Sequence, residues 1–436
     1  MPAPVNALTV DHFCASRKAV SSADAASGNT GLTLPQTQAT VREMNKEKAL
    51  VTLLNPRALL DRLVAFPTVS RDSNLDLVDW VESYLAGHGI AVHRHWNDDR
   101  TKAALFAHVG PLVPGGVVLS GHTDVVPVDG QAWTRDPWVV IEQDGRLYGR
   151  GTCDMKGFDA LAIWAMVEAH RAGVMRPLQI ALSYDEEVGC TGAPPMIAAM
   201  GLALPKAASV VVGEPSMMKT VNGHKGGSGF QVHVRGHEVH SSIMHTGVNA
   251  IMTGARLIEW ANRMNAENAG AVPSGLAAPF LPPWTTVHVG TISGGTAENI
   301  TAKDCRFGLS FRVVPGEDPD AWVTLFQAQV AALDAEIKAV HPDAGITATR
   351  SFDVPPLRPQ TDGPAEALVR RLTGDNASNV VSYGTEAGQF QDAGYSVVVC
   401  GPGDIAQAHQ PDEYLEVAQF DAGQVFMQQL IKDLQK

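Results

Sequence analysis

The sequence predicts an α/β fold in which a mostly parallel mixed sheet is covered by helices, with an inserted ferredoxin-like α+β domain. Apolar stretches with helical spacing alternate with short β-branched runs over most of the chain, which is typical of a parallel sheet. The central region changes to the order β-α-β-β-α-β, the ferredoxin-like arrangement. The residues are 45% hydrophobic and 18% charged, an ordinary globular composition. The chain of 436 residues is long enough for two or three domains.

The elements of the outer domain follow in chain order. Asn55 and Pro56 begin an amphipathic helix that runs to Phe66, and residues 75–88 repeat that pattern. A further helix is predicted shortly after Asp154. Short β-rich runs, each ending in a turn or a polar cluster, lie at 117–120, 178–183, 210–212 and 397–400.

The middle of the chain supplies the elements of the inserted domain. In order they are a strand at 230–234, a helix at 249–264, strands at 285–292 and 306–313, a helix at 322–340 and a strand at 346–352. We therefore predict a catalytic domain of residues 46–226 and 351–436, and an inserted domain of residues 227–350. Residues 1–45 lack the marks of a secretory signal or a transit peptide, and we expect a flexible extension there.

Charge and hydrophobicity oppose several classes of protein. Lys and Arg number 33 against 46 Asp and Glu, a net charge of −13, which disfavours a nucleic-acid partner. The longest purely apolar run, residues 160–167, is eight residues long, well short of the roughly 18 that cross a membrane. Five cysteines lie far apart without a C-x-x-C pair, which fits a reducing compartment. We expect a soluble cytoplasmic protein that binds neither nucleic acid nor membrane.

Candidate metal ligands follow the predicted strands, at the edge where α/β sheets bind their ligands. His122 and Asp124 follow the first β-rich run, and their spacing of two places both side chains on one face. One imidazole and one nearby carboxylate suit a metal ligand and the group that orients it. Asp154 lies at a glycine-lined turn before a helix, where a helix N-cap is an equally good interpretation.

Further carboxylates and a second histidine follow the other strands. Glu186 and Glu187 come after the run at 178–183, Glu214 after the run at 210–212, and His409 after the last run. Adjacent acids usually form a solvated turn, but like charges beyond a buried strand need a cation nearby. Two histidines with several carboxylates form the nitrogen and oxygen set that suits a pair of zinc ions.

The ordered motifs closely resemble those of the dinuclear-zinc hydrolases that include acetylornithine deacetylase, succinyl-diaminopimelate desuccinylase, aminoacylase and carboxypeptidase G. The resemblance covers nearly everything after about residue 50. The motifs that carry it are Ser120-Gly121-His122-Thr123-Asp124-Val125-Val126-Pro127, Gly151-Thr152-Cys153-Asp154-Met155-Lys156-Gly157, Asp185-Glu186-Glu187 and Gly213-Glu214-Pro215. Within the family, segments 133–137, 383–387 and 407–414 look most like the acetylornithine deacetylases.

The resemblance implies a role for each candidate residue. It implies two Zn²⁺ per subunit, with Co²⁺ as a substitute, one ion held by His122, Asp154 and Glu214 and the other by Asp154, Glu187 and His409. It also implies that Glu186 is the general acid/base and that Asp124 orients the histidine.

Three residues of the inserted domain are also similar to functional positions of the family. His240 matches a histidine that a partner subunit supplies to the oxyanion, which implies a homodimer. Asn299 and Arg312 resemble substrate-binding positions, and Arg312 suits an α-carboxylate. The alternatives from the residues alone are a surface histidine at His240 and a structural ion pair at Arg312.

The implied activity is hydrolysis of N2-acetyl-L-ornithine, a small N-acyl amino acid, to L-ornithine and acetate in arginine biosynthesis. The enzymatic alternatives are a succinyl-diaminopimelate desuccinylase and a broad N-acyl-amino-acid aminoacylase. The alternative from another class is a catalytically inactive metal-binding dimer, against which the presence of Glu186 and all five apparent ligands argues.

Overall fold

Eight strands form the central sheet of the protein, whose computed structural model describes residues 52–436. The extension predicted for residues 1–45 lies outside the described residues. The strands of all three sheets in the described residues are β1 (Val92–Trp96), β2 (Ala103–Val109), β3 (Val117–His122), β4 (Ile141–Gln143), β5 (Arg146–Tyr148), β6 (Leu178–Ser183), β7 (Ser209–Pro215), β8 (Val221–His224), β9 (Gly226–Arg235), β10 (Thr286–Gly294), β11 (Asp304–Val313), β12 (Gly345–Val354), β13 (Asn379–Val381), β14 (Val397–Gly401) and β15 (Tyr414–Glu416). The α-helices are α1 (Pro56–Val64), α2 (Leu75–Gly87), α3 (Lys156–Ala172), α4 (Ala193–Ala203), α5 (Ala250–Gly270), α6 (Pro319–Val340), α7 (Pro364–Thr373), α8 (Ala387–Asp392) and α9 (Val417–Leu434).

The central sheet has the strand order β1-β2-β6-β3-β7-β14-β8-β13. Four neighbouring pairs are parallel, namely β6–β3, β3–β7, β7–β14 and β8–β13. The pairs β1–β2, β2–β6 and β14–β8 are antiparallel. The prediction of a mostly parallel mixed sheet with covering helices is confirmed.

Helices cover both faces of this sheet, so its inner strands are buried along their whole length. Every residue of β3, β6, β7 and β14 is buried, as expected for parallel strands between two layers of helices. Alternate residues point to opposite cores: Leu119 and Val211 join the core that contains α3 and α9, whereas Val118 and Val212 join the core that contains α4 and α8.

Local signals set the ends of several helices. The side chain of Asn55 accepts a hydrogen bond from the Ala58 N–H, and Pro56 is the first residue of α1, which is the usual cap-and-proline start. Gly173 ends α3 in the left-handed conformation, with φ 63°, where a glycine carries no steric cost. No helix within residues 52–436 is long and apolar enough to cross a membrane.

A second sheet, entirely antiparallel, is built from the middle of the chain. Its order is β10-β11-β9-β12, and α5 and α6 pack against it around Phe230, Phe311 and Phe326. The chain order β-α-β-β-α-β with this strand order is the ferredoxin-like split arrangement. The described residues, 52–436, fall within one compact unit, and the boundaries 227–350 of an inserted domain stay a prediction.

A small third sheet, with the order β15-β5-β4, was not predicted from the sequence. Each of its strands is three residues long, too short to show a period of two. Tyr414 pairs with Tyr148 in this sheet. The pairing therefore brings the segment that ends at Glu413 beside the segment that begins at Gly149, and Asp154 lies in that second segment.

His224, at the end of β8, should make the stability of the protein depend on pH. Its side chain is buried, and Nδ1 donates to the carbonyl of Lys225 over 2.9 Å. Burial lowers the pKa of His224 to about 4, whereas an unfolded histidine has a pKa of about 6.5. Between these values the unfolded chain binds a proton that the folded chain does not. The free energy of unfolding should therefore fall by ~3 kcal/mol as the pH is lowered from 6.5 to 4.

The measurement is urea unfolding of the metal-free protein between pH 4 and pH 7, compared with His224→Gln. Groups common to both proteins contribute equally, so the variant should lose ~3 kcal/mol less over this range. The two curves running parallel would show that His224 does not titrate in this way.

Candidate metal centre

Three adjacent parallel strands deliver the first candidate ligands to one edge of the central sheet. His122 is the last residue of β3, Glu214 lies near the end of β7, and Glu187 follows β6. Because β6, β3 and β7 are neighbours with their carboxyl ends together, the three side chains meet at the edge where such sheets bind ligands.

His122, Asp154 and Glu214 form the first group. His122 Nε2 lies 3.0 Å from Asp154 Oδ1 and 3.6 Å from Glu214 Oε1, and all three side chains are almost fully buried. His122 Nδ1 donates to the carbonyl of Asp124 over 2.9 Å. This bond sets the tautomer of the neutral ring, so the lone pair of Nε2 faces the two carboxylates.

Asp154, Glu187 and His409 form the second group. His409 Nε2 lies 3.2 Å from Asp154 Oδ2 and 2.9 Å from Glu187 Oε2. Asp154 thus presents one carboxylate oxygen to each group. The N-cap of α3 is Met155, so the structure does not use Asp154 as the cap that the sequence also allowed.

These two groups fit a pair of divalent metal ions. In each group, one ligand atom from every residue lies within 4.8 Å of the others. Ligands bound at about 2.1 Å in a tetrahedral zinc site lie about 3.4 Å from one another, close to the observed separations. One imidazole and two carboxylates per group form a hard nitrogen and oxygen set, with the carboxylate of Asp154 common to both.

The electrostatics of the site point to the same conclusion. Burial raises the pKa of Glu186 to about 8 and that of Glu187 to about 7, and it raises the pKa of Glu214 well above its usual range. Hydrogen bonds to Asp154 and Glu187 raise the pKa of His409 to about 10. Clustered buried carboxylates are unfavourable unless a cation compensates them, and divalent ions at the two groups would supply that charge.

Asp124 holds the turn that carries the acidic residues. Its carboxylate accepts the backbone N–H groups of Glu186 (3.1 Å) and Glu187 (3.4 Å), and the hydroxyl of Ser70 (2.7 Å). Its carbonyl, rather than its carboxylate, makes the shorter contact to His122, 2.9 Å against 3.5 Å. Asp124 therefore orients both a candidate ligand and the following acidic turn.

Glu186 lies beside the two groups without belonging to either. It lines the same cavity as Asp154, Glu187, Glu214 and His409, a cavity of about 290 Å³. The thiol of Cys190 donates to Glu186 Oε1 over 3.1 Å. A buried carboxyl with a pKa raised to about 8 suits proton transfer near neutral pH.

Arg312, on β11, lines this cavity as well, together with Tyr383 and Phe352. Within residues 52–436, the side chain of Arg312 forms no ion pair with a carboxylate, so the structure holds no counterpart of the structural ion pair considered above. A guanidinium that lines a cavity without a carboxylate partner can bind the carboxylate of a ligand through two parallel hydrogen bonds.

His240 and Asn299 lie together, but not at the cavity of their own chain. The N–H of Ser241 donates to the Asn299 carbonyl over 2.9 Å, and the described residues that line the cavity include neither. His240 is exposed, and the N–H of Ser242 donates to its Nδ1 over 3.2 Å. The proton of the neutral ring is therefore on Nε2, which leaves the exposed His240 side chain with a hydrogen-bond donor.

Several residues of the site were not singled out from the sequence. They are Ser70, Arg150, Cys190, Phe352, Tyr383 and Glu413. Tyr383 and Glu413 lie inside motifs that carried the family resemblance, so the signal was present but not assigned. Ser70 carries no local signal, because only the fold brings it to Asp124. Cys190 lies four residues after Glu186, so its proximity to the acidic motif was a signal that was not used.

Comparisons with known proteins agree with this geometry. The family model described as Peptidase family M20/M25/M40 matches residues 118–433. The chain is 36% identical over 378 residues to an acetylornithine deacetylase of Myxococcus xanthus, covering 84% of this chain and 94% of that protein. It is 32% identical over 382 residues to an acetylornithine deacetylase of Proteus mirabilis, covering 86% and 95%.

Solved structures share the fold at lower sequence identity. An M20 family metallo-carboxypeptidase from Sulfolobus solfataricus superposes with a TM-score of 0.73 at 16% identity, covering 88% of this chain and 99% of that one. YXEP of Bacillus subtilis, described as a dinuclear metal-binding peptidase of the M20 family, superposes with a TM-score of 0.56 at 14% identity, covering 87% and 97%. The chain therefore belongs to peptidase family M20/M25/M40 and is a metal-dependent hydrolase.

Proposed function

We propose that the protein hydrolyses N2-acetyl-L-ornithine to L-ornithine and acetate, with two Zn²⁺ per subunit and Co²⁺ as a substitute. The observation that carries the proposal is the position of Glu186 beside two ligand groups that share Asp154, in one cavity that also contains Arg312. The relatives named acetylornithine deacetylase, at 32–36% identity over most of the chain, support the choice of substrate.

The chain's own residues account for the proton transfers of amide hydrolysis. Metal ions held by His122, Asp154 and Glu214, and by Asp154, Glu187 and His409, would supply a lowered pKa of water and polarisation of the substrate carbonyl. Glu186 accepts the proton of the attacking water and then donates it to the nitrogen of the leaving amine. One water is consumed, the C–N bond breaks, and the products are acetate and the free amine. Asp124 keeps Glu186 in place through the backbone N–H that it accepts.

Arg312 and Asn299 would bind the amino-acid part of the substrate. The guanidinium of Arg312 faces the cavity and matches the α-carboxylate in charge and in shape. A bidentate pair fixes direction as well as distance, so it would hold the scissile amide against Glu186. This role supports a small N-acyl amino acid as the partner and disfavours a neutral amide.

We propose further that two copies of the chain form a homodimer and share their active sites. His240 is exposed and carries the proton of its neutral ring on Nε2, while the described residues that line the cavity of its own chain include none from that segment. The ferredoxin-like region, residues 227–350, would act as the dimerisation domain. It would present the partner's His240 and the partner's Asn299 to the oxyanion and the substrate.

The place of the reaction follows from the substrate. Ornithine formed from acetylornithine belongs to arginine biosynthesis, and we propose that the enzyme works in the cytoplasm without a nucleic-acid or membrane partner. The net charge of −13 supports the absence of a nucleic-acid partner. The five separated cysteines support a reducing compartment.

Initial rates on three substrates test the proposal. We expect kcat/KM for N2-acetyl-L-ornithine to exceed that for N-succinyl-diaminopimelate by at least about tenfold, a size typical of differences in pocket contacts. The reason is that a succinyl carboxylate would enter a cavity already lined by Glu186, Glu187 and Glu214. An N-acetylated apolar amino acid is the third substrate, and protein treated with a chelator is the control.

Each of the other outcomes assigns a different function. Faster turnover of the succinylated substrate would make the protein a desuccinylase, and equal rates on both acetylated substrates would make it a broad aminoacylase. Two bound metal ions without turnover of any substrate would favour the inactive metal-binding dimer.

A further inference from the structure

A buried arginine outside the ligand set lies between the two loops that carry Asp154 and His409. Arg150 is 0% exposed. Its Nη1 donates to Glu413 Oε2 over 2.5 Å, and its Nη2 donates to Gln131 Oε1 over 2.5 Å. A planar guanidinium has donors in fixed directions and can bind two acceptors at once, so Arg150 joins Glu413 and Gln131 rigidly.

On one side, Arg150 is connected through Glu413 to Asp154, the ligand shared by the two groups. Glu413 is 1% exposed, and its Oε1 accepts the backbone N–H groups of Cys153 (3.0 Å) and Asp154 (3.2 Å). The ion pair with Arg150 thus holds the peptide from which the Asp154 carboxylate extends. A carboxylate bound by several donors in a buried site has little freedom to move.

On the other side, Arg150 is connected through Gln131 to His409. Gln131 Oε1 accepts from Arg150 and also from the indole N–H of Trp133, over 2.9 Å. Both partners are donors only, so the amide oxygen must face them. The amide nitrogen then faces the other way and donates to the carbonyl of His409 over 2.9 Å.

The hydrogen bond from Gln131 matters for His409 because of the exposure and the backbone conformation of this residue. Its side chain is 49% exposed, and its backbone has φ 63°, a left-handed conformation that few residues other than glycine adopt. An exposed residue in that conformation requires external bonds to keep its imidazole directed at Asp154 and Glu187. The bond from Gln131 is one that fixes its backbone.

We propose that Gln131 is a positioning residue for the metal site of Asp154, Glu187 and His409. The chain of contacts from Glu413 through Arg150 to Gln131, here called the relay, keeps Asp154 and His409 in fixed relative positions. This inference rests on the proposed dinuclear metal centre. Partners that hold metal ligands typically change metal affinity by about 10- to 100-fold when they are replaced.

The decisive variant is Gln131→Glu. It keeps the size of the side chain and the acceptor for Arg150 and Trp133, but it cannot donate to the His409 carbonyl. Titration calorimetry of Zn²⁺ into the metal-free full chain should show the affinity of the His409 site weakened by about 10- to 100-fold. The affinity of the site of His122, Asp154 and Glu214 should stay unchanged.

Two reference variants interpret the titration. His409→Ala identifies which binding step belongs to the His409 site. Gln428→Glu makes the same chemical change at an exposed position on α9 and should bind both ions as the unmodified chain does. Arg150→Lys provides a second test, because one ammonium can pair with Glu413 but cannot also reach Gln131. It should reproduce the selective loss even if Gln131→Glu folds poorly.

The possible results of the titration test the relay and the dinuclear metal centre separately. Affinities of Gln131→Glu that match those of Gln428→Glu at both sites would overturn the relay alone. Equal weakening of both sites, together with a lower melting temperature of the metal-free protein, would show a general structural role and would also overturn it. If His409→Ala removes no Zn²⁺-binding step that the unmodified chain shows, the dinuclear centre is refuted, and the relay with it.

Discussion

Glu186→Gln should lower kcat on N2-acetyl-L-ornithine by about 10²- to 10⁴-fold, the contribution expected of a positioned general acid/base. Glutamine has the same shape as glutamate but cannot accept the proton of the attacking water or return it to the leaving amine. Glu186 lies outside both ligand groups, so the variant should retain its metal ions. Because substrate contacts are unchanged, KM should change far less than kcat.

The measurement combines initial rates with metal analysis of the same sample. Glu267→Gln, an exposed position on α5, is the matched control and should keep full activity. Loss of activity that follows loss of metal would assign Glu186 a structural part in the metal centre. Turnover within about tenfold of the unmodified protein at full metal content would exclude it as the proton-transfer group.

Subunits that carry different substitutions should restore each other's activity. His240→Ala alone should lose about 10²- to 10³-fold in kcat, the usual effect of removing one donor to an oxyanion. A purified heterodimer of one Glu186→Gln chain and one His240→Ala chain should regain about half the activity of the unmodified dimer, because a two-fold dimer then has one intact site of two. In that site, Glu186 comes from one chain and His240 from the other.

Differently tagged chains produced together allow this heterodimer to be isolated. The control pairs a Glu186→Gln chain with a chain that carries both substitutions, and it should be inactive because Glu186 is absent from both sites. If His240 acted within its own chain, the mixed dimer would be inactive as well. An inactive mixed dimer would therefore contradict the shared site while leaving the metal chemistry intact.

The parts of the site that end neighbouring strands could be predicted from the sequence. His122, Glu187 and Glu214 each follow a run of buried, mostly apolar residues. Parallel strands end at a common edge, so the order of the motifs already implies that these side chains meet. Asp154 and His409 lie in loops; their positions in the sequence made them candidate ligands, but only the family resemblance assigned each to a particular ion.

Contacts between distant loops could not be predicted in this way. The hydroxyl of Ser70 reaches Asp124, 54 residues further along the chain, although nothing near Ser70 marks it as functional. The three-residue strands β4, β5 and β15 are too short for any periodic pattern. Their pairing nevertheless decides that Glu413 lies beside Arg150.

Three features could be derived from the amino-acid sequence alone: the sheet with its covering helices, the ferredoxin-like order of the middle region and the identity of the strand-end ligands. These properties depend on the alternation of apolar and polar residues over short stretches. The burial of Arg150 between Glu413 and Gln131, and the absence of His240 from the residues that line the cavity of its own chain, became evident only from the three-dimensional arrangement of the described residues. The physical reason is that a buried polar network depends on which distant loops the fold brings into contact, and no local pattern records those contacts.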